Sequence, residues 1–283
     1  MTDRVNELFG RPTCRPNATE WTTVVRRQAC PFLVRKCIKV RKSQPAISIG
    51  TCSVNYGRDP KPIIICPFRL LERRQIFTDS LHLLTLHEPG NELHVVPEVS
   101  VPGGSVDYFL VSARRGKPLD FVGVELQTLD TTGTVWPARQ QFLHSVGVLV
   151  KQGDWDSEKT FGMNWKMTAK TTLIQLHHKV DTFEHISKHL VLAVQDCLLA
   201  YMRREFSFGH LTNARNGDSM HFHAYSIEPA GGRYRLRLAE RRSTDAAGIA
   251  TAMGLQAQAN VGLEVILADL ERKMSEKTLW APA

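Results

Sequence analysis

The chain has 283 residues, 42% of them hydrophobic and 23% charged, and a formal net charge of +8. That balance belongs to a folded globular protein and excludes a fibrous, low-complexity or disordered chain. No apolar run approaches the roughly 20 residues that cross a bilayer, and the start MTDRVNELFG lacks the apolar core of a signal peptide. The sequence therefore predicts a cytoplasmic protein with no membrane partner.

The charge is one-sided. Residues 1–90 hold 15 Lys and Arg against 7 Asp and Glu, which is the whole excess of 8, while residues 91–283 carry 21 of each sign. A basic N-terminal third suits contact with a polyanion, although a solvated basic surface gives the same count.

Taken in chain order, the first feature is a cluster of cysteines. Cys30, Cys37, Cys52 and Cys66 fall within 37 residues, whereas Cys14 and Cys197 stand apart. A cytoplasmic chain argues against disulfides, and four thiolates from a loop-rich segment suit a tetrahedral Zn or Fe site. The spacing in ACPFLVRKC is wider than the usual knuckle, so four buried apolar thiols are the alternative. Next, FRLLERRQIFTDSLHLLTL has helical apolar spacing and ends before Pro89 and Gly90, which predicts one amphipathic helix.

ELHVVPEVSV, SVDYFLVSA and FVGVELQTL, separated by PGG and RRGKP, predict three strands in a meander. PARQQFLHSVGVLV and the stretch from Trp165 to Phe206 have helical spacing, with a strand allowed at TTLIQL and HLVLAVQDCLLAYM taken as a helical run that buries Cys197. HFHAYSIEP and RYRLRLAE flank a turn and predict a second hairpin, and residues 258–277 predict a closing helix. The order is mixed α/β.

The chemistry sits in the meander. Alternation along FVGVELQTL puts Val122, Val124 and Leu126 on one face and Glu125 and Gln127 on the other, and a hairpin with the preceding strand brings Asp107 toward Glu125. Two close carboxylates in a dry setting favour a bound hard cation, Mg²⁺ above all. The plainer reading is a pair of acids at a wet sheet edge. The histidine pairs His177 with His178 and His221 with His223 lack a third ligand nearby. No serine nucleophile elbow, phosphate-binding glycine loop or dinucleotide fingerprint occurs.

An acid on one strand followed across a hairpin by Glu-x-Gln on the next resembles the PD-(D/E)XK nuclease core. More specifically, CPFLVRKC, GTCSV, IICPFRLLERRQIF, PEVSVPGGSVDYFLV, FVGVELQTLDTTGTVWPARQ and MNWKMTAKTTLIQLHHK together resemble NotI-type restriction endonucleases over residues 30–180. The resemblance implies an N-terminal basic, four-cysteine metal-binding segment over residues 1–68 and a nuclease domain over residues 69–283, built on a mixed central sheet flanked by helices. It implies that Asp107 and Glu125 hold the catalytic Mg²⁺, with Gln127 at the position of the usual catalytic lysine and Glu98 as a further candidate. It implies structural iron, or zinc, on Cys30, Cys37, Cys52 and Cys66. The partner it implies is double-stranded DNA at a short GC-rich palindrome, cut on both strands by a prokaryotic cytoplasmic homodimer that leaves 5′ phosphates. Arg35, Lys36, Arg69, Arg73, Arg74, Lys166 and Lys170 are the candidate DNA contacts. A metal-stabilised DNA binder without catalysis, and a repair or mobile-element nuclease on the same core, are the competing expectations.

Overall fold

The computed structural model describes residues 4–14, 20–254, 267–268 and 271–272. The helix expected over residues 258–277 falls almost wholly outside them. The strands, in chain order, are β1 (Val5–Leu8), β2 (Arg11–Pro12), β3 (Ala29–Cys30), β4 (Arg35–Lys36), β5 (Val40–Arg41), β6 (Gln44–Ser48), β7 (Thr51–Tyr56), β8 (Lys61–Ile64), β9 (Glu92–Val101), β10 (Gly104–Arg114), β11 (Lys117–Gln127), β12 (Thr131–Gly133), β13 (Phe161–Met163), β14 (His189–Gln195), β15 (Thr212–Asn213), β16 (Met220–Ala230) and β17 (Arg233–Thr244). The helices are α1 (Trp21–Arg27), α2 (Gln75–Ser80), α3 (Trp136–Ser145), α4 (Gln152–Trp155), α5 (Trp165–His185), α6 (Asp196–Glu205) and α7 (Ala246–Ala252).

A seven-stranded mixed sheet in the order β15-β17-β16-β14-β11-β10-β9 carries the fold, and a four-stranded sheet β2-β1-β7-β8 lies in the N-terminal segment. β9, β10 and β11 form the predicted antiparallel meander; β14 then joins β11 in parallel, and β16 joins β14 in parallel. β14 is buried at all seven residues, as a parallel strand covered on both faces must be. On one face, Leu190, Leu192 and Val194 of β14 pack with Leu173, Leu176 and Val180 of α5 and Leu198 of α6. On the other, Val191 and Ala193 pack with Leu70, Ile76 and Phe77.

Two expectations fail and one open alternative closes, each for an identifiable reason. The single helix over FRLLERRQIFTDSLHLLTL is a 3-10 segment Pro67–Arg74, then α2, then a 3-10 turn Leu81–Leu83. Arg73 and Arg74 both take left-handed backbone (φ 54 and 56), which no continuing helix accommodates. TTLIQL is helical, since α5 buries Thr168, Ala169, Thr172, Leu173, Leu176, Lys179, Val180 and Phe183 at intervals of three and four. HLVLAVQDCLLAYM splits into strand β14 and helix α6, because a run apolar on every side carries no period to separate the two.

The N-terminal segment packs directly on the rest. Val54, Ile63 and Ile65 join the core beneath α5. The Gln195 carboxamide at the end of β14 accepts from Ile64 N (2.8 Å) and donates to Pro62 O (2.8 Å). Arg139 of α3, buried, donates from Nε to Ile49 O at 2.7 Å.

Candidate active site and buried cysteines

The β10–β11 register pairs Tyr108 with Val124 and so sets Asp107 opposite Glu125. The two carboxylates share a cavity of about 250 Å³ with Ser105, Gln127, Thr172 and Lys179. Asp107 is held by its own hairpin: Oδ2 accepts from Leu126 N at 2.8 Å. Glu125 Oε1 accepts from Lys179 Nζ at 2.5 Å, with the two side chains only 13% and 8% exposed. Burial is the main reason that the Glu125 pKa is pushed up to about 7; Lys179 pulls it down, and neighbouring Asp107 pushes it further up. This acid pair is the arrangement that β-strand alternation predicts.

Two glycines let α5 approach the strands this closely. A Cβ on Gly123 of β11 would lie 2.6 Å from Phe183 Cζ, and Gly103, at φ 91 in the β9–β10 turn, faces the His178 carbonyl so closely that a Cβ would overlap it. Gly104 packs on the Lys179 stem, with Cε 3.3 Å from its Cβ direction. Replacing Gly103 by Ala is therefore expected to cost about 1–3 kcal/mol through backbone strain and a shifted helix, read in a urea denaturation curve. An unchanged midpoint would contradict this packing account.

Lys179 is the residue that sequence reasoning missed. With Thr172 and Leu176 it makes an i, i+4, i+7 stripe, legible only if the whole of α5 is taken as helix. Gln127 lines the cavity, but its Nε2 donates to Thr128 O at 2.7 Å. Glu98 stands on β9 in register with Asp107, with left-handed backbone (φ 52); it is exposed and outside the cavity lining.

Searches against known protein families and against curated proteins found no match. The protein's own geometry therefore carries the functional argument.

The four cysteines come from two hairpins. Cys30 lies on β3 and Cys37 just beyond β4, while Cys52 lies on β7 and Cys66 just beyond β8. All four are buried and free of disulfides. Burial raises the thiol pKa of Cys30, Cys52 and Cys66, and each also feels at least one other cysteine of the set. Backbone N–H groups favour the thiolate at three sulfurs: Phe32 and Leu33 at Cys30, Gly10 at Cys52 and Phe68 at Cys66. Four sulfurs are the number and kind of ligand that a tetrahedral metal ion takes. Among the described residues no three His, Cys, Asp or Glu side chains are already set around one point, here or at the acid pair.

The candidate DNA contacts separate into two groups. Arg35 and Lys36 on the β3–β4 hairpin, Arg73 and Arg74, and Lys166 and Lys170 on α5 are all exposed. Arg69 is not. It is completely buried, with Nε 2.9 Å from Glu7, Nη1 2.9 Å from Glu72 and Nη2 3.1 Å from Tyr234 O. Its guanidinium is spent on interior partners, so Arg69 is a structural residue with no face for a phosphate.

Proposed function

We propose that the protein is a Mg²⁺-dependent type II restriction endonuclease of the PD-(D/E)XK kind, acting as a homodimer on both strands of a short GC-rich palindrome in double-stranded DNA. The observation that carries this reading is the meeting of Asp107, Glu125 and Lys179 in one cavity, on an antiparallel meander followed by α5 and the parallel strand β14. The acid on each of two hairpin strands supports the resemblance to NotI-type enzymes, and the helix α5 laid against them adds Lys179.

Asp107 and Glu125 would hold the ion, which supplies a bound water of lowered pKa and charge stabilisation on a phosphodiester. The chain's own part is positional. Leu126 N–H fixes the Asp107 carboxylate, while burial keeps bulk water from screening the site. Lys179 brings the positive charge that a glutamine at position 127 lacks, and brings it from a helix instead of the strand. The four buried cysteines would hold iron or zinc in a structural role, tying the basic β3–β4 hairpin that carries Arg35 and Lys36 to β7 and β8.

The test is incubation of a GC-rich supercoiled plasmid with the protein and Mg²⁺, with EDTA as the negative control. Discrete linear fragments are expected from wild type. Asp107→Asn, which keeps the shape and removes the charge, is expected to cut at least about a hundredfold more slowly. Undiminished cutting by Asp107→Asn, or none by wild type on any GC-rich substrate, would refute the assignment.

A further inference from the structure

We propose that Lys179 offsets one of the two charges of the acid pair before a divalent ion arrives, and that the ion enters by displacing its ammonium from Glu125, which sets the ion requirement of the site. The inference rests on the reading of Asp107 and Glu125 as the ion's ligands and asks what else holds them.

One of the two Glu125 carboxylate oxygens, Oε1, is already occupied by the Lys179 ammonium. Lys179 Nζ lies 2.5 Å from Oε1, both side chains are almost fully buried, and the cavity around them holds about 250 Å³. A hard divalent cation demands carboxylate oxygens at about 2.1 Å in near-octahedral order and keeps several waters. An ion at the pair and an ammonium 2.5 Å from Oε1 compete for the same small space and the same carboxylate charge. The two positive charges also repel in surroundings where solvent screens little.

Lys179 has room to give way only along its side chain. Its backbone is fixed: the neighbouring His178 carbonyl abuts Gly103, the Lys179 stem abuts Gly104, and Thr182 Oγ1 donates to Pro102 O at 3.2 Å. The PGG turn between β9 and β10 thus clamps the base of the side chain and leaves its tip as the movable part. Ion entry would swing Nζ off Glu125 while leaving α5 in place.

The experiment uses the full chain without DNA and Mn²⁺ as the probe, with free Mn²⁺ followed by electron paramagnetic resonance at pH 8.5 and fixed ionic strength. Wild type is expected to show an ion site that Asp107→Asn abolishes. Lys179→Met, close in shape but uncharged, is expected to bind Mn²⁺ at least tenfold more tightly, a change of about 1.4 kcal/mol. Lys179→Gln should move in the same direction and carries the test if the Met variant does not fold, as judged by circular dichroism; Lys179→Arg, which keeps the charge, should stay near wild type. Equal or weaker binding by a folded Lys179→Met or Lys179→Gln, beside an intact Asp107-dependent site, overturns the displacement proposal alone. Mn²⁺ binding by wild type that ignores Asp107→Asn overturns the ligand assignment and the proposal with it.

Discussion

Arg69→Met is expected to destabilise the protein by about 3–5 kcal/mol, because it strips the cation from a buried network and leaves its carboxylates behind. Burial opposes the Arg69 charge, and Glu7 followed by Glu72 outweighs it, so its pKa is raised. Glu7, 1% exposed, also accepts from Ser53 Oγ at 2.8 Å, and Glu72 accepts from Leu236 N at 2.7 Å and from Arg235 at 2.9 Å. Glu72 would keep Arg235, but Glu7 would lose its only ion-pair partner among the described residues. The double variant Glu7→Gln/Arg69→Met, which removes both charges, is expected to recover part of the loss. Urea denaturation at pH 7 reads both, and a loss below about 1 kcal/mol for Arg69→Met would show that the network contributes little. Arg73→Ala and Arg74→Ala, at exposed positions, serve as controls for a generic loss of charge.

The second large effect is acid lability centred on β16. His221 and His223 are both fully buried on the face opposite α5. Burial first, then His189 and His82, lowers the His221 pKa to about 4, although Nε2 lies 2.9 Å from Asp218 O. Burial first, then Arg241, His221 and His82, lowers that of His223 to about 3, and neither of its ring nitrogens has a hydrogen-bond partner among the described residues. Both folded values lie below the unfolded 6.5, so the stability these groups confer is complete above pH 6.5 and is lost as the pH falls toward 4 and 3. Each contributes a slope of about 1.4 kcal/mol per pH unit across its window, or about 2.7 together. Unfolding free energies measured between pH 6 and 5 should therefore fall more steeply for wild type than for His223→Gln, by about 1.4 kcal/mol per unit. Equal slopes would mean that His223 is not held neutral.

Half of the acid pair was legible because strand alternation is a strict period of two: once FVGVELQTL is a strand, Glu125 and Gln127 must share a face, whereas the register that sets Asp107 beside Glu125 was one option beside a wet sheet edge until the structure fixed it. The meander and the β16–β17 hairpin were legible for the same reason, each being Val-rich or alternating and bounded by turn residues. Lys179 was hidden by distance. It lies 54 residues beyond Glu125, and only the packing of α5 on Gly103 and Gly123 brings the two together. Arg69 reads as a DNA contact because its local sequence, FRLLERR, carries basic residues at helical spacing, whereas its partners Glu7 and Tyr234 lie 62 and 165 residues away. The helix over residues 67–83 breaks at Arg73 and Arg74, whose left-handed backbone the local apolar spacing does not foretell.

The Gln195 carboxamide has a mechanical consequence. By receiving Ile64 N–H and offering its own N–H to Pro62 O, it imitates a peptide group and splices the small sheet onto the tip of β14, one residue past the pairing of Gln127 with Val194. A cut near residue 68 would orphan that amide, along with the guanidinium of Arg139 that leans on Ile49 O. Gln127, which lines the acidic cavity, pairs with Val194 immediately before Gln195, so β8 and the cavity are tied to adjacent residues of one strand.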